Sequence, residues 1–356
     1  MASAASTDRE ERVLQIIETA RAKRPRFRDE QITLAHGAGG KATQTLIEGL
    51  LAPAFGIAEL ADAGVMENVA ITSDSFVVKP LRFPGGSIGE LAVNGTVNDL
   101  AMAGARPGAM TLAMILEEGL DADILRQEVD AVARAAAAAG VAVVGGDTKV
   151  VERGAADQMY LSSTGIGFID PRAMLAPHKI RPGDQVLVSG PIGEHGTAIM
   201  LARNQFDLDA EIESDTCSLW PAVDALLEAV GAELHCLRDA TRGGVASVLN
   251  ELARAAGVAV VAREADVPVS PVVAAAAELL GIDPMYIANE GRLVAFVAPQ
   301  TADRALEALR GVAGCEQAAS IGEVRGDPPG MVLVQTSFGG RRVMDQLVGD
   351  PLPRIC

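Results

Sequence analysis

The chain has 356 residues, and its 30 lysines and arginines against 47 aspartates and glutamates give a formal charge of −17. This charge repels phosphate backbones and argues against general nucleic-acid binding. A composition of 49% hydrophobic and 22% charged residues is that of an ordinary globular protein. With only 3% aromatic residues the core is expected to be aliphatic, and chains of this length usually fold as two domains.

The cysteines and the apolar runs indicate the cellular compartment in which the protein is expected. Cys217, Cys236, Cys315 and Cys356 are too few and too scattered for a disulfide framework or a CxxC zinc site, which favours a reducing compartment. No charge-free run approaches the roughly 18 apolar residues of a transmembrane helix. The first residues lack the basic start and apolar stretch of a secretory signal. We therefore expect a cytoplasmic protein without membrane association.

The secondary-structure pattern alternates between strand-like and helix-like segments from about residue 31 onward. Short apolar or β-branched runs predict strands at Val69–Thr72, Val141–Val144, Met159–Ile169, Gln185–Ser189 and Arg292–Ala298. Helical spacing and capping residues predict helices at Ser87–Gly104, Asp121–Ala139, His195–Arg203, Pro221–Val230, after Gly244, and at Ala302–Val312. A hairpin is expected from Met331–Thr336, turning at Gly339–Gly340.

The domain boundaries follow from breaks in this pattern. Residues 1–30 are predicted to form an N-terminal extension with a basic island at 21–28, either a solvated arm or a docking segment for an acidic partner. Three prolines between 171 and 182 interrupt both the helical and the strand periodicity, and they predict a domain boundary there. We expect an α/β (α+β) fold with two mixed domains, 31–170 and 171–343, followed by a flexible tail, 344–356.

Four aspartates stand where strands or helices meet small-residue turns. They are Asp74 in ITSDSF, Asp99 in VNDLAMAGA, Asp147 in VVGGDTK and Asp239 in LRDATRGG. Carboxylates beside glycines suit Mg²⁺, a hard cation that takes oxygen ligands and shares its shell with nucleotide phosphates. Each aspartate alone is equally compatible with ordinary turn chemistry. Together the four predict a site for Mg²⁺ and ATP.

Two glycine-rich segments are candidate phosphate loops. His36–Gln44 contains Lys41 but lacks the Walker A spacing, so it is either a phosphate-wrapping loop or a flexible turn. Thr241–Gly244 opens a predicted helix, where free N–H groups favour an anion, although an ordinary helix start has the same residues. No GxGxxG dinucleotide motif is present.

Three further residues are candidates for covalent and proton-transfer chemistry. Cys356 is the last residue of the sequence, and an extended tail from Met344 would let its thiol visit two sites, unless it is a chance exposed cysteine. Glu290 and Lys149 lie in small polar islands between apolar strands. They become proton-transfer candidates if both face the site that the tail reaches, and are otherwise surface or salt-bridged residues.

Taken in order, HGAGGK, ITSDSFVVKP, VNDLAMAGARP, GVAVVGGDTKVV, LRDATRGGVASVLNELA, NEG and the terminal PRIC resemble the HypE family of hydrogenase maturation factors. The resemblance covers residues 31 to 356. The middle motifs are shared with a wider superfamily that includes aminoimidazole ribonucleotide synthetase, selenophosphate synthetase and thiamine-phosphate kinase. The terminal PRIC narrows the resemblance to HypE.

The resemblance implies two α/β domains, dimerisation through the N-terminal domains, and Mg²⁺-ATP bound between the domains. Carried over by motif, the four aspartates become metal or phosphate-site residues. Lys41, Asn98, Thr241, Gly243 and Gly244 join them at the ATP site.

The resemblance also implies a covalent substrate. Cys356 would receive a carbamoyl group from the partner HypF, and ATP-dependent dehydration would leave a thiocyanate. Its cyano group would pass to iron on the HypC–HypD complex for [NiFe] hydrogenase. Glu290 would be the base, with Lys149 either assisting it or polarising the amide. The alternatives are a small-molecule synthetase or kinase of the same superfamily, and a non-catalytic acidic scaffold.

Overall fold

The computed structural model describes residues 26–57, 60–203, 211–349, 352 and 354–356. Residues 1–25, which include part of the predicted basic island, lie outside this range. The chain divides into two compact units, one from residues 1–60 with 347–350 and the other from 61–346 with 351–356. None of the described helices is both long and apolar enough to cross a membrane.

The smaller unit is helical. A 3₁₀ turn at Leu34–Gly37 precedes α1 (Lys41–Leu46), which continues through a π-helical turn at Ile47–Leu51 into α2 (Ala52–Phe55). The Lys41 N–H donates a 2.8 Å hydrogen bond to the Leu347 carbonyl. A Cβ on Gly40 would lie 2.5 Å from that oxygen, so this glycine of the HGAGGK motif is required for the close approach of the later segment.

The first sheet of the larger unit has five strands in the order β1-β2-β7-β5-β6, antiparallel except for the β5–β6 pair. They are β1 (Gly64–Met66), β2 (Val69–Phe76), β5 (Ala105–Glu117), β6 (Ala142–Val151) and β7 (Met159–Ile169), while β3 (Arg82–Phe83) and β4 (Gly86–Ser87) form a separate hairpin. Helix α3 (Ile88–Met102) packs on β2 and β7, and α4 (Ala122–Ala139) packs on α3. The other face of the sheet carries exposed apolar side chains, including Ile71, Ile115 and Phe168.

The second sheet has seven strands in the order β14-β13-β10-β12-β8-β11-β9. They are β8 (Gln185–Val188), β9 (Leu234–Asp239), β10 (Ala259–Arg263), β11 (Leu293–Val297), β12 (Ala319–Arg325), β13 (Met331–Gln335) and β14 (Arg341–Met344). The accompanying helices are α5 (Glu194–Ala202), α6 (Trp220–Val230), α7 (Gly244–Ala256), α8 (Pro271–Leu280) and α9 (Ala302–Arg310). Every residue of β11 is buried because alternate side chains enter two hydrophobic clusters, one containing α7 residues and the other containing residues of α6 and α9.

The structure confirms the α/β fold class and most of the predicted elements. Strand β7 has the predicted bounds, and α4 has Asp121 as its N-cap and Gly140 in the left-handed conformation as its C-cap. The hairpin of β13 and β14 is present as an antiparallel pair. Strand β6 is longer than predicted and reaches Val151, because its pairing with β5 continues through the glycines.

Candidate active site

Three aspartates from different parts of the larger unit meet in one cluster. Asp62 precedes β1, Asp99 lies on α3, and Asp239 ends β9. One carboxylate oxygen from each lies within 4.8 Å of the others. The cluster therefore forms where the helix that covers the first sheet meets an edge strand of the second sheet.

Neighbouring side chains fix the cluster. The Thr72 hydroxyl lies 2.7 Å from Asp99 Oδ2 and 3.0 Å from the Asp62 carbonyl oxygen. Arg238 Nη1 donates a 2.7 Å hydrogen bond to Asp62 Oδ1. Each of the two aspartates thus has one oxygen held by a donor, which orients the carboxylates toward one another.

The acid cluster is electrostatically unfavourable without a cation. Burial raises the pKa of Asp99 well above its usual range, and the charges of Asp239, Asp62 and Asp74 raise it further. Burial likewise raises the pKa of Asp239, and the charge of Asp62 adds to the effect despite the opposing Arg238. Mutual repulsion among buried carboxylates is relieved when they share a positive ion.

The donor set fits Mg²⁺. All the ligand atoms that the cluster offers are carboxylate oxygens, which a hard divalent cation prefers. Ligands around one Mg²⁺ ion stand about 3–4 Å apart, given its bond lengths near 2.0–2.1 Å. The three carboxylate oxygens of the cluster, which lie within 4.8 Å of one another, are close to that spacing.

A second acidic group, Glu290, lies in a rigid turn. The Asp215 carboxylate accepts hydrogen bonds from the N–H groups of Glu290 at 3.1 Å and Gly291 at 3.3 Å. Asn289 Nδ2 donates to the carbonyl of Ala240, the residue after Asp239, at 2.7 Å. A Cβ on Gly291 would lie 1.8 Å from the Asp215 carbonyl oxygen, so only glycine fits there.

Glu290 has the electrostatic surroundings of a general base. Its side chain is buried, which raises its pKa well above the usual range, and Asp74 and Asp239 raise it further while Arg242 opposes them. A carboxylate with a raised pKa is a stronger proton acceptor than an ordinary surface glutamate.

The glycines at the start of α7 serve a tight turn. Gly243 and Gly244 have φ values of 74° and 60°, a left-handed conformation that favours glycine. A Cβ on Gly244 would lie 2.5 Å from the Met285 carbonyl oxygen, and the Gly244 N–H donates to Thr241 O at 2.9 Å.

The last residues of the chain dock into the larger unit. Leu352, Ile355 and Cys356 are buried, and Cys356 is only 9% exposed. The Val77 N–H donates to the Cys356 carbonyl at 3.1 Å, and the Lys79 N–H donates to the Arg354 carbonyl at 3.4 Å. Val77 follows β2, so Cys356 lies beside the end of the strand that carries Asp74. A Cβ on Gly196 would lie 3.2 Å from Leu352 Cδ1 and 3.3 Å from the Ala288 nitrogen, so the tail also lies beside the segment that leads to Glu290.

The comparisons with known proteins decide the family. Two family models match, the N-terminal domain of AIR synthase related proteins over residues 60–169 and the C-terminal domain over residues 181–334. The carbamoyl dehydratase HypE of Rhodobacter capsulatus is 46% identical over 93% of this chain and 99% of its own length. The chain belongs to the HypE family.

Solved HypE structures agree with this assignment. HypE in a crystal structure of a HypE–HypF complex superposes with a TM-score of 0.82 and 42% identity, over 85% of this chain and 99% of that chain. HypE crystallised with ATP superposes with a TM-score of 0.78 and 41% identity, over 92% of this chain and 100% of that chain.

Against this family background, the predicted site residues separate into groups. Asp99 and Asp239 meet in the acid cluster, Asp74 and Glu290 interact with it electrostatically, and Cys356 docks beside their segments. Asp147 and Lys149 pair with each other on β6, where both side chains are more than 60% exposed, away from the cluster. Lys41 begins α1 in the smaller unit.

Asn98 is buried, and its amide is bonded to the backbone. Its Nδ2 donates to the carbonyls of Cys217 and Glu290, and its Oδ1 accepts from the Leu219 N–H at 2.7 Å. In this arrangement Asn98 fixes the Glu290 turn against α3.

Sequence reasoning missed three residues of the site. Asp62 lies in an unpatterned segment, and Asp215 has neither a glycine neighbour nor a strand end to mark it. His195 has no sequence signal either, because the four histidines of the chain have no metal-ligand spacing. All three act through contacts with residues distant in sequence, which a local pattern does not record.

Proposed function

We propose that this chain dehydrates an S-carbamoyl group on its own Cys356 to a thiocyanate, using ATP, in the maturation of [NiFe] hydrogenase. The observation that carries the proposal is the docked tail, which buries Cys356 beside the end of the Asp74 strand and passes next to the segment that leads to Glu290. The carbamoyl dehydratase activity of the 46% identical relative supports it, as does the ATP-bound HypE structure.

The reaction balances as a dehydration. The carbamoyl oxygen attacks the γ-phosphoryl group of ATP and releases ADP, and the phosphorylated oxygen then leaves as inorganic phosphate. The carbamoyl nitrogen gives up both protons as the C≡N bond forms: Glu290 accepts one of them, and the departing phosphate carries away the other. The products are the S-cyano cysteine, ADP and phosphate.

We assign the acid cluster to the metal of the nucleotide. Asp62, Asp99 and Asp239 would hold Mg²⁺, with Asp74 beside them, and the ion would neutralise charge on the transferring phosphoryl group. Asn98, Thr241, Gly243 and Gly244 remain proposed ATP-site residues, together with Lys41.

The exposed face of the first sheet supports a homodimer. Ile71 on β2 is 47% exposed, and Ile166 and Phe168 on β7 are 41% and 54% exposed, so the face leaves apolar side chains in water. We propose that a second copy covers this face. Asp147 and Lys149 lie on β6, at the edge of this sheet. We propose that they act in metal binding and proton transfer only in the dimer.

Two partners complete the proposal. The HypE–HypF complex of the relative supports HypF as the carbamoyl donor of this chain. The HypC–HypD complex is proposed as the acceptor of the cyano group, in the cytoplasm.

Mass spectrometry of the C-terminal peptide tests the function. Incubation with HypF and carbamoyl phosphate should place a carbamoyl group on Cys356, and added ATP should convert it to a cyano group. Cys356→Ser should show neither adduct while retaining ATP binding. If instead a soluble acceptor supported steady ATP turnover in the Cys356→Ser protein, the alternative of a small-molecule synthetase or kinase would replace the proposal.

A further inference from the structure

His195 on α5 holds the tail by its backbone. The side chain is fully buried, and its Nε2 lies 2.7 Å from the carbonyl oxygen of Ile355, the residue before Cys356. Because a carbonyl oxygen only accepts hydrogen bonds, Nε2 carries the proton. This contact fixes the penultimate residue independently of its side chain.

The other ring nitrogen connects His195 to the turn that carries Glu290. With the proton on Nε2, Nδ1 accepts a hydrogen bond from the Ser214 hydroxyl at 2.8 Å. Asp215, the next residue, accepts the N–H groups of Glu290 and Gly291 through its carboxylate. One short segment therefore holds both the histidine that binds the tail and the turn that presents the proposed base.

The surroundings keep the imidazole neutral and fixed. Burial lowers the pKa of His195 to about 4, against the opposing hydrogen bond to Ile355, so the ring stays neutral near pH 7. The Phe83 ring packs edge-on against it at 5.5 Å, and the Ser214 N–H donates to the Pro84 carbonyl at 2.8 Å. The neutral ring is thus held with Nε2 donating to the Ile355 carbonyl and Nδ1 accepting from the Ser214 hydroxyl.

We propose that His195 is a positioning residue for the dehydration: it holds the tail at Ile355 and, through Ser214 and Asp215, aligns Cys356 with the Glu290 turn. This inference rests on the proposed function for its chemical consequence. Its structural part, the retention of the docked tail by His195, is tested without the reaction.

Alkylation of the cysteine thiols tests the docking. The full-length protein is treated with iodoacetamide, and the rate at each cysteine is followed by mass spectrometry. In His195→Leu the lost hydrogen bond should accelerate alkylation of Cys356 about five- to tenfold, while buried Cys236 on β9 is the internal control for general opening of the fold. His195→Gln, which keeps an N–H donor on a side chain of similar reach, should restore most of the protection. An unchanged Cys356 rate in His195→Leu would overturn the docking role.

A second variant tests the link to Glu290. Ser214→Ala leaves the His195–Ile355 contact in place, so Cys356 alkylation should stay within about twofold of wild type, while conversion of the carbamoyl to the cyano adduct should slow about fivefold. An undiminished conversion rate would overturn the link. If His195→Leu fails to fold, the Cys356 alkylation rate of His195→Gln tests the docking, and the conversion rate of Ser214→Ala tests the link to Glu290. A wild-type protein that forms no cyano adduct would refute the proposed function. The alkylation rates would still test whether His195 holds the tail in place.

Discussion

Arg354 Nη1 and Asp157 Oδ2 form a 2.7 Å ion pair that joins the tail to the loop between β6 and β7. The same guanidinium donates through Nε and Nη2 to the Val77 carbonyl, at 3.2 and 3.1 Å. Arg354 has a φ of 57°, which is unfavourable for a residue with a side chain. These side-chain contacts offset the cost of that backbone conformation and keep the tail docked.

Replacing Asp157 tests this anchor. In Asp157→Asn the ion pair is lost, and because both side chains are partly exposed its worth is at most about 1 kcal/mol. We expect Cys356 to be alkylated about two- to fivefold faster, and the wild-type rate to rise with salt toward that of the variant.

A matched control for Asp157 lies far from the tail. Asp266→Asn removes the ion pair with Arg263 at the end of β10 and should leave the Cys356 rate unchanged. Equal acceleration in both variants would mean that the Arg354–Asp157 pair has no specific role in docking.

Replacing Asp99 tests the acid cluster. Asp99→Asn removes one of several mutually repelling buried carboxylates, so its melting temperature in EDTA should equal or exceed that of wild type. Mg²⁺ should raise the wild-type melting temperature by several degrees and that of the variant by much less. Thermal melts with and without Mg²⁺ measure both effects, and Asp303→Asn on α9 is the control. A Mg²⁺ response in Asp99→Asn equal to wild type would contradict the assignment of the metal site.

The raised carboxyl pKa values of Asp99, Asp239 and Glu290 predict how stability depends on pH. Between the ordinary carboxyl pKa and the raised values, the folded chain retains protons that the unfolded chain has released. The free energy of unfolding of the metal-free protein should therefore fall as the pH rises from the ordinary carboxyl range toward neutrality. Urea unfolding in EDTA across this range measures the slope, which should be shallower in Asp99→Asn. A free energy of unfolding that rises over the same interval would contradict the prediction.

Replacing Glu290 separates phosphorylation from proton removal. Glu290→Gln keeps the size of the side chain and the backbone contacts of the turn but cannot accept the proton. Loss of a general base lowers the rate by about 10²–10⁴-fold, so carbamoylated Cys356 should accumulate in the presence of ATP. Mass spectrometry of the C-terminal peptide follows both adducts, and nucleotide binding should persist. Cyano formation at the wild-type rate would remove Glu290 from the reaction.

The sequence predicts the bounds of a helix or strand correctly where adjacent residues encode them. The bounds of α4 follow from Asp121 and Gly140, whose capping chemistry is encoded in adjacent residues. The 13-residue strand β5 was not predicted, because Pro107 and Gly108 break its alternation and a register shift at this point is needed to continue the pairing with β7.

In the candidate site, too, some residues are marked by local sequence and others only by tertiary packing. Asp99 and Asp239 carry recognisable motifs, whereas Asp62 joins them only through the packing of α3 against β9. Asp147 has a motif as clear as theirs, yet it lies on an exposed edge strand. Motifs identify candidate chemistry, and tertiary packing decides which candidates meet within one chain.

In the proposed function, the docked tail makes the thiol that accepts the carbamoyl group part of the enzyme itself. With Cys356 9% exposed and the carbonyls of Arg354, Ile355 and Cys356 all hydrogen-bonded, the conversion step becomes a unimolecular event. Tethering replaces the concentration of a diffusing substrate by a fixed effective molarity. Dilution should then leave the conversion rate of a preloaded, fully assembled protein unchanged, and each chain delivers one product for every loading.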